Sequence, residues 1–321
     1  MKILVTGGAG FIGSHLSERL ISDGHSVTVI DNFSTGRASN LANLTEMENF
    51  ALIEGSILDI ALLKPLIDDA DYVFHLAAAV GVFNIVNNPL ASLLTNIRGT
   101  ENVLEAAHAT KTPVFLTSSS EVYGKNISDS LKESDDRILG SPVTLRWSYS
   151  EAKAIDESLA YAYYVEKQLE TRIVRFFNTV GPRQLGAYGM VVPRFVKAAL
   201  ANEPITIYGD GNQTRCFAHV YDVIDAVLAI AFAKNTIGKV INIGNDFEIS
   251  INGLAKRIID ETKSNSGIVY VPYAEAYGEG FEDMERRVPN IDLISQLVGW
   301  KPKRDLSAMI ADISAEMKKS S

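Results

Sequence analysis

The stretch from Thr6 to His15, TGGAGFIGSH, constrains the fold of this chain more than any other, because it joins a strand pattern to a helix pattern through three spaced glycines. Lys2 to Val5 is an apolar run typical of a buried parallel strand, and apolar residues recur at helical spacing from Phe11 to Ser22. Glycine lets such a turn adopt positive φ and approach a pyrophosphate, which the free N–H groups and dipole of the helix N-terminus then bind. The pattern predicts a dinucleotide-binding turn, although a tight turn without a ligand has the same spacing.

A second apolar run, Ser26 to Ile30, ends at Asp31. In dinucleotide-binding folds an acidic residue about 20 residues past the glycine turn accepts hydrogen bonds from the ribose hydroxyls of the adenosine. Such a carboxylate would repel a 2′-phosphate, so it favours NAD over NADP. Arg37, in the following loop, keeps NADP open, because a guanidinium can bind that phosphate.

Apolar runs and helical patterns alternate through the first half of the chain. They predict strands at Phe50 to Glu54, Asp71 to Leu76 and Val114 to Leu116, and a long helix from Pro89 to Ala109. Such alternation is typical of a doubly wound, mostly parallel sheet with its ligands at the carboxyl ends of the strands. The predicted fold class is therefore α/β.

Polar or small residues follow several of these strands. Gly55 to Asp59 would pass the adenine edge of a bound dinucleotide, although Asp59 can equally cap a helix. Ala77 to Ala79 would let the backbone lie close to a cofactor, whereas His75 is expected to pack. These residues extend the predicted cofactor site along the sheet edge.

The second half of the chain alternates less regularly. We expect a Rossmann-type NAD-binding domain over residues 1–180, with return segments at about 217–248, and a smaller α/β substrate lobe mainly over residues 181–321. The predicted elements of this half are helices at Pro193 to Ala201, Tyr221 to Ala233 and Ile251 to Thr262, and strands at Ile205 to Tyr208 and Val240 to Ile243.

Composition limits the classes of function. The chain has 321 residues, of which 46% are hydrophobic, so it can bury a sizeable core. The formal net charge of −9 argues against nucleic acid or an anionic membrane as a partner. The sequence shows no signal peptide and no apolar stretch of about 20 residues, so a cytoplasmic protein is expected. Its one cysteine, Cys216, excludes an internal disulfide framework.

Tyr149 and Lys153 lie four residues apart in a predicted helix from Trp147 to Gln168, and therefore share one helix face. An ammonium beside a phenol favours the phenolate and lowers its pKa, and a bound oxidised nicotinamide would add positive charge. Tyr149 could then take a proton from a sugar hydroxyl. An ordinary tyrosine and lysine on a helix face is the alternative interpretation.

The chain resembles the extended short-chain dehydrogenase/reductases that act on nucleotide sugars, from Lys2 to about Leu306. The resemblance implies NAD that is retained through the reaction, with Tyr149 as base, Lys153 holding the ribose, and Ser119 hydrogen-bonding the sugar 4-hydroxyl. Asn178 and Arg215 match positions that contact the nucleotide diphosphate. The resemblance rests on TGGAGFIGSH, DNFSTGR, HLAA at 75 to 78, SSSEVYG, Tyr149 with Lys153, RFFNTVGPR from Arg175 to Arg183, and YGDGNQTRCF from Tyr208 to Phe217.

Turn, strand ends and resemblance together give two sets of predicted contacts. Arg183 joins the second because two phosphates call for guanidinium groups. The predicted cofactor contacts are Gly7, Gly10, Phe11, Ile12, Gly13, Asp31, Asn32, Ser34, Thr35, Gly36, Ile57, Leu76, Ala77, Ala78, Asn96, Tyr149 and Lys153. The predicted substrate contacts are Ser119, Glu121, Asn178, Arg183, Val192, Tyr208, Arg215 and Arg287.

Three residues, Ser120, Glu121 and Arg287, help to choose the chemistry that follows oxidation at C4. The resemblance to dehydratases and UDP-glucuronate decarboxylases includes a glutamate at position 121, where UDP-galactose 4-epimerases have a small residue. Dehydratases carry an acidic pair, and Ser120 stands where the first acid would be. The segment Tyr277 to Pro289 looks like the decarboxylase segment that brings an arginine, here Arg287, to the sugar carboxylate.

These features favour a UDP-glucuronate decarboxylase. A UDP-sugar 4-epimerase, for UDP-glucuronate or UDP-glucose, is the runner-up, and a non-catalytic NAD-binding sensor is the alternative from another class. For Arg287 the simpler interpretation is a salt bridge within the acidic loop that holds Glu282, Asp283 and Glu285. The two long helices resemble those of a four-helix dimer contact, which predicts a homodimer. No metal is expected, and Cys216 and His219 are expected to pack.

Overall fold

The computed structural model describes residues 1–186, 190–277, 284 and 286–319. Its first half contains β1 (Lys2–Thr6), α1 (Phe11–Ser22), β2 (Ser26–Asp31), β3 (Phe50–Glu54), α2 (Ile60–Asp68), β4 (Tyr72–His75), α3 (Val82–Asn87), α4 (Pro89–Thr110), β5 (Val114–Ser119), α5 (Ser148–Lys167), β6 (Thr171–Phe176) and β7 (Thr179–Val180). Its second half contains α6 (Val191–Leu200), β8 (Ile205–Tyr208), β9 (Thr214–Cys216), β10 (Ala218–His219), α7 (Val220–Phe232), β11 (Val240–Ile243), β12 (Glu248–Ser250), α8 (Ile251–Thr262), β13 (Ile268–Val271), α9 (Tyr273–Tyr277), α10 (Asp292–Val298) and α11 (Leu306–Lys319).

Seven parallel strands form the central sheet in the order β11-β6-β5-β4-β1-β2-β3. Thr6 of β1 pairs with Ile30 of β2 on one side and His75 of β4 on the other. The chain leaves β1 toward β2 but reaches β4 only after β3, so the strand order reverses between β1 and β4. In open α/β sheets ligands bind at the carboxyl ends of the strands beside such a reversal. This sheet confirms the predicted Rossmann-type fold.

Helices cover both faces of the sheet, because successive side chains of a strand point to opposite sides. Val5 packs toward α1 and α7, and Leu4 on the other face packs toward α2, α4 and α5. Strands buried on both faces explain the continuous apolar runs in the sequence. Both β11 and α7 belong to this body although they follow residue 217 in the chain.

A second apolar core lies outside the central sheet. It is formed by α6, α8 and α11 around β8, with Phe195, Leu254 and Ile310 buried at its centre. β8 pairs in parallel with β13, and β9 pairs antiparallel with β12. This core brings substrate-lobe residues to the mouth of the cofactor cleft, while the domain boundaries stay a prediction.

Most predicted elements occur within a few residues of their expected bounds. Asp59 is the N-cap of α2, where its carboxylate accepts a hydrogen bond from Leu62 N, and His75 is buried between two threonines. The sequence pattern did not predict the remaining elements, which are α2, α3, β6, β7, β9, β10, β12, β13, α9, α10 and α11. No helix in the described part of the chain combines the length and the apolar character that a membrane span requires.

Candidate active site

The carboxyl ends of the strands open into a cavity of ≈ 520 Å³ that also reaches α6 and β8. It is lined by every predicted cofactor or substrate contact except two, Gly36 and Asn96. Residues that are far apart in the sequence therefore meet in one cleft. The size of this cleft, and its mainly apolar lining with a few charged and polar groups, suit a ligand of the dinucleotide and nucleotide-sugar class.

Glycines build the turn between β1 and α1 for different steric reasons. Gly7 has φ +71, and a Cβ there would lie 2.7 Å from Ala77 Cα. A Cβ on Gly13 would lie 2.3 Å from Gly7 O, while Gly10 is the extended N-cap of α1. Positive φ is thus needed at Gly7 only. Gly8, which the motif reading did not single out, has to be small because a Cβ would lie 2.5 Å from Val29.

Asp31 is anchored by backbone amides at the end of β2. Its Oδ2 accepts from Ala9 N at 2.9 Å and its Oδ1 from Phe33 N at 2.8 Å. Burial raises the pKa of this carboxyl, while the two N–H donors favour its charged form. The carboxylate lines the cavity at the position predicted for the adenosine ribose.

Two predicted cofactor contacts support the site from outside the cavity. Gly36 packs against Asp31, and a Cβ at this position would lie 3.0 Å from Asp31 Oδ2. Asn96 is 1% exposed and turned to the end of β4, where its Oδ1 accepts from Ala79 N at 2.8 Å and its Nδ2 donates to Ala79 O at 3.3 Å. Both residues therefore lie behind the lining, Gly36 beside the Asp31 carboxylate and Asn96 against the backbone of Ala79. Their contact with the cofactor stays a prediction.

Tyr149 and Lys153 lie on one face of α5 and line the cavity together. Burial, followed by the charges of Glu121 and Asp156, raises the pKa of the Tyr149 phenol, and a hydrogen bond with Ser119 opposes that rise. Lys153 is 2% exposed, and its Nζ donates to Asp156 Oδ2 at 3.0 Å. The pair that the sequence predicted is present, with an acidic partner that the prediction did not include.

A cluster of opposite charges lies beside this pair. Glu121 Oε2 accepts from Arg146 Nη1 at 2.5 Å, and Glu121 Oε1 lies 2.8 Å from Arg287 Nη2. Arg287 Nη1 also donates to Ser120 Oγ at 3.2 Å. Burial by itself would raise the pKa of Glu121, but the two guanidinium groups outweigh it and hold the pKa at about 2. Glu121 is therefore ionised at any working pH.

Arg287 was predicted either as a site residue or as a salt-bridge partner within its own acidic loop. Arg287 is 6% exposed, lines the cavity and pairs there with Glu121, which supports the first interpretation. The acidic residues Glu282, Asp283 and Glu285, with most of the segment that follows Tyr277, lie outside the described residues. The predicted role of Ser119 near the phenol is consistent with its position at the end of β5, where its Oγ accepts from Glu121 N at 3.3 Å.

The substrate half of the cavity carries four further predicted contacts. Asn178 Nδ2 donates to Cys216 O at 2.9 Å, which ties the end of β6 to β9. Arg215 is mostly buried beside it, Val192 is fully buried at the start of α6, and Tyr208 ends β8. The guanidinium carbon of Arg194 lies 4.2 Å from the centroid of the Tyr208 ring, within cation–π distance.

Arg183 lines the cavity but is held by the cofactor domain. Its Nη2 donates to Glu18 Oε1 at 2.7 Å and its Nη1 to Ser14 Oγ at 3.2 Å, both on α1. The predicted contact between Arg183 and a substrate diphosphate stays a prediction. In this structure the guanidinium links the loop after β7 to α1, the helix that follows the glycine turn.

Several cavity residues were absent from the prediction. Arg146 lies three residues before Tyr149, so its position next to the tyrosine motif was the available signal. Arg194, Gln213 and Tyr273 are further polar examples, for which the sequence carried no comparable signal.

Cys216 and His219 pack close to this half of the cavity. Burial raises the pKa of Cys216 to about 12, and burial lowers the pKa of His219, which contacts Asp312 at 3.1 Å. Within the described ranges, no group of three or more His, Cys, Asp or Glu side chains is arranged to hold a metal.

The fold and the site define a nucleotide-sugar enzyme of the short-chain dehydrogenase/reductase class. Residues 3–244 match the model of the NAD dependent epimerase/dehydratase family, and the chain belongs to this family. NAD is therefore the cofactor, and the glycine turn, Asp31 and the tyrosine–lysine pair are the parts of the chain that fit it.

Individual members of the family that are similar to this chain include decarboxylases and 4-epimerases of UDP-linked sugars. The chain is 42% identical over 302 residues to the UDP-N-acetyl-alpha-D-glucosaminuronate decarboxylase of Bacillus cytotoxicus, covering 94% of this chain and 92% of that protein. It is 37% identical to UDP-glucuronic acid decarboxylase 1 of Xenopus tropicalis, covering 94% of this chain and 68% of that protein. The UDP-glucuronic acid 4-epimerase of Bacillus cereus, solved with UDP-glucuronic acid and NAD, superposes with a TM-score of 0.89 at 30% identity over 100% of both chains.

Proposed function

We propose that this protein is an NAD-dependent decarboxylase of a UDP-linked uronic acid, with UDP-glucuronate as the expected substrate. The observation that carries the proposal is the cluster in which Arg287 reaches Glu121 and Ser120 beside Tyr149. A guanidinium in this position can bind a carboxylate on C6 of a sugar whose 4-hydroxyl faces the phenol. Decarboxylases among the similar proteins support the same assignment.

The residues of the chain divide the work of the reaction. Tyr149 takes the proton of the sugar 4-hydroxyl, Ser119 orients that hydroxyl, and Lys153 holds the cofactor ribose. NAD, when bound, supplies a hydride acceptor for C4 and later returns the hydride. Between removal and return of the hydride, the C5–C6 bond of the 4-keto uronate breaks, carbon dioxide leaves, and the electron pair stays at C5 as an enolate. Water supplies the proton for C5, and Tyr149 returns its proton to the C4 oxygen.

Arg287 has to bind the carboxylate without binding it too tightly, because stabilising the ground state would slow the loss of carbon dioxide. Its existing pair with Glu121 provides this balance, since a substrate carboxylate competes with Glu121 for the same guanidinium. Arg146 remains with Glu121 when Arg287 turns to the substrate, so Glu121 is not left as an unpaired buried charge.

A 4-epimerase acting on a UDP-uronate is the second candidate. The same residues would oxidise C4, and rotation of the keto sugar in the cavity would return the hydride to its other face. The full-length similarity to the UDP-glucuronic acid 4-epimerase favours this alternative. The two candidates differ in the fate of the carboxylate, which is measurable.

The test is to incubate the purified protein and NAD in separate reactions with UDP-glucuronate, UDP-N-acetylglucosaminuronate and UDP-glucose, and to follow the sugar by proton NMR. We expect a UDP-pentose, or its 4-keto form, together with carbon dioxide from one of the two uronates. A C4 epimer with its carboxylate intact would replace the decarboxylase by the epimerase. Conversion of UDP-glucose alone would overturn the uronate assignment.

Replacing Arg287 with Met tests the carboxylate contact directly. We expect UDP-glucuronate to bind at least about tenfold more weakly while binding of UDP-glucose changes little, because only the uronate offers a carboxylate to the guanidinium. Calorimetry on both ligands measures the difference. Arg286→Gln is the matched control, because Arg286 is exposed and pairs with Glu248 outside the cavity. Equal weakening of both ligands would contradict the assignment.

We further propose that the protein is a homodimer formed through α4 and α5. Apolar side chains are exposed on these helices: Leu90 by 67%, Tyr161 by 51% and Val165 by 57%. Light scattering at micromolar concentration should give twice the chain mass, and Val165→Asp should shift it toward the monomer. Phe247→Asp, which changes an exposed apolar residue elsewhere, should leave the mass unchanged. A monomer mass for the unaltered protein would refute the proposal.

The cytoplasmic location of the protein stays a prediction.

A further inference from the structure

A buried carboxylate lies next to the catalytic pair and has no part in the steps above. Asp156 is 0% exposed, three residues after Lys153 on α5, and its Oδ2 lies 3.0 Å from Lys153 Nζ. Because residues three and four apart share a helix face, Tyr149, Lys153 and Asp156 form one row along α5. Lys153 comes between Tyr149 and Asp156 in the order of that row, and its ammonium contacts the carboxylate.

This placement changes what Lys153 can do to Tyr149. A lone ammonium favours the phenolate, but an ammonium in contact with a carboxylate is nearly neutral as a pair when seen from the phenol. The buried carboxylate also acts directly, since its charge is one of the causes that raise the pKa of Tyr149, after burial and Glu121. Both effects work against ionisation of the phenol.

The other titratable groups near Tyr149, Lys153 and Asp156 are either paired with other residues or neutral. Glu121, at the end of β5, is held by Arg146 and Arg287. Glu157 of α5 pairs with Arg175 of β6 at 2.7 Å. His75 of β4 is neutral because burial lowers its pKa to about 3, and its Nε2 contacts Thr100 of α4 at 3.2 Å. Among the groups described here, Asp156 is the one whose ion pair involves Lys153.

We propose that Asp156 is a positioning residue that restrains Lys153 and thereby sets the pH range in which Tyr149 serves as the base. The carboxylate holds the ammonium in place and offsets its charge, so the phenol ionises at a higher pH than it would beside a free lysine. The inference rests on the proposed C4 oxidation for its meaning, but not on the identity of the sugar.

The test measures the phenol of Tyr149 directly in the NAD complex. Protein labelled with carbon-13 at the tyrosine ζ position is titrated by NMR, and Tyr149→Phe identifies the Tyr149 signal by its disappearance. In Asp156→Asn we expect that signal to titrate about one pH unit lower or more than in the unaltered protein. Asp156→Glu, which keeps a carboxylate, should restore most of the original value. Where the Asn variant does not bind NAD, Asp156→Ala is titrated in its place.

Glu166→Gln is the control, because it removes an exposed negative charge from the far end of α5 and should not move the titration. An unchanged Tyr149 titration in Asp156→Asn would overturn the proposal. A titration at higher pH would also overturn it, since that would mean that Asp156 keeps Lys153 charged. The titration requires no sugar substrate, so its failure is distinguishable from failure of the decarboxylase assignment.

Discussion

Tyr149→Phe should lower turnover about 10²–10⁴-fold, the range associated with removal of a general base. Phenylalanine keeps the ring but cannot accept the proton of the 4-hydroxyl. NAD should still bind, because the glycine turn and Asp31 remain intact. Measuring turnover by NMR, and NAD affinity by calorimetry, separates the two effects.

The pH dependence of turnover is an independent test of Tyr149 as the general base. Burial raises the pKa of Tyr149, so below that pKa the fraction of phenolate, and with it the rate, rises as pH rises. This limb of the profile should vanish in Tyr149→Phe. Tyr161→Phe, which changes an exposed phenol on the same helix, should retain both rate and profile. Full activity in Tyr149→Phe would mean that another group is the base, and full biological function without turnover would favour the NAD-binding sensor.

The cofactor half of the site could be predicted from the sequence because its geometry is local. The turn from Gly7 to Gly13 and the carboxylate of Asp31 are fixed by two adjacent strands and one helix, and the sequence spacing of such units determines their positions. Gly36 and Asn96 were predicted as cofactor contacts as well, but neither lines the cavity. Whether they reach it depends on how a loop and α4 pack, which sequence spacing does not determine.

β6 shows where the hydrophobic pattern fails. Its sequence, TRIVRF, carries two arginines in a strand that is buried on both faces, so it does not look like a continuous apolar run. Arg172 and Arg175 are only 4% and 5% exposed and are accommodated by specific partners. Buried charges with partners distant in the sequence are invisible to periodicity, because their tolerance depends on tertiary contacts.

The charge cluster at Glu121 could be predicted only in part for the same reason. Glu121 and Arg287 were predicted through a resemblance, whereas Arg146 was not predicted. Arg146 reaches the Glu121 carboxylate because the fold brings the start of α5 to the end of β5. The cluster requires three segments to meet within hydrogen-bond distance. That requirement is a property of packing, so neither composition nor spacing could show that Arg146 shares Glu121 with Arg287.

Arg175→Met should cost about 3–5 kcal/mol of unfolding free energy, the range for breaking a buried ion pair by removing one partner. Arg175 Nε and Nη2 donate to the two carboxylate oxygens of Glu157 at 2.9 and 2.7 Å, and Ser118 Oγ donates to Glu157 Oε1 at 2.6 Å. Without the guanidinium, Glu157 would remain as a buried charge between α5 and the sheet. Urea unfolding followed by circular dichroism measures the difference.

A matched pair of variants separates burial from charge. Arg257→Met breaks an i,i+4 pair with Glu261 on the exposed face of α8 and should cost less than about 1 kcal/mol. The double replacement Arg175→Met with Glu157→Leu should recover much of the stability lost in Arg175→Met, since it leaves no unpaired charge. Equal stability of Arg175→Met and the unaltered protein would show that the pair is not desolvated. Glu157 lies on α5, the helix that carries Tyr149, and it accepts a hydrogen bond from Ser118, the residue before Ser119. The ion pair with Arg175 therefore also helps to hold the phenol of Tyr149 against the end of β5. For this reason Arg175→Met should lose turnover before it loses its fold.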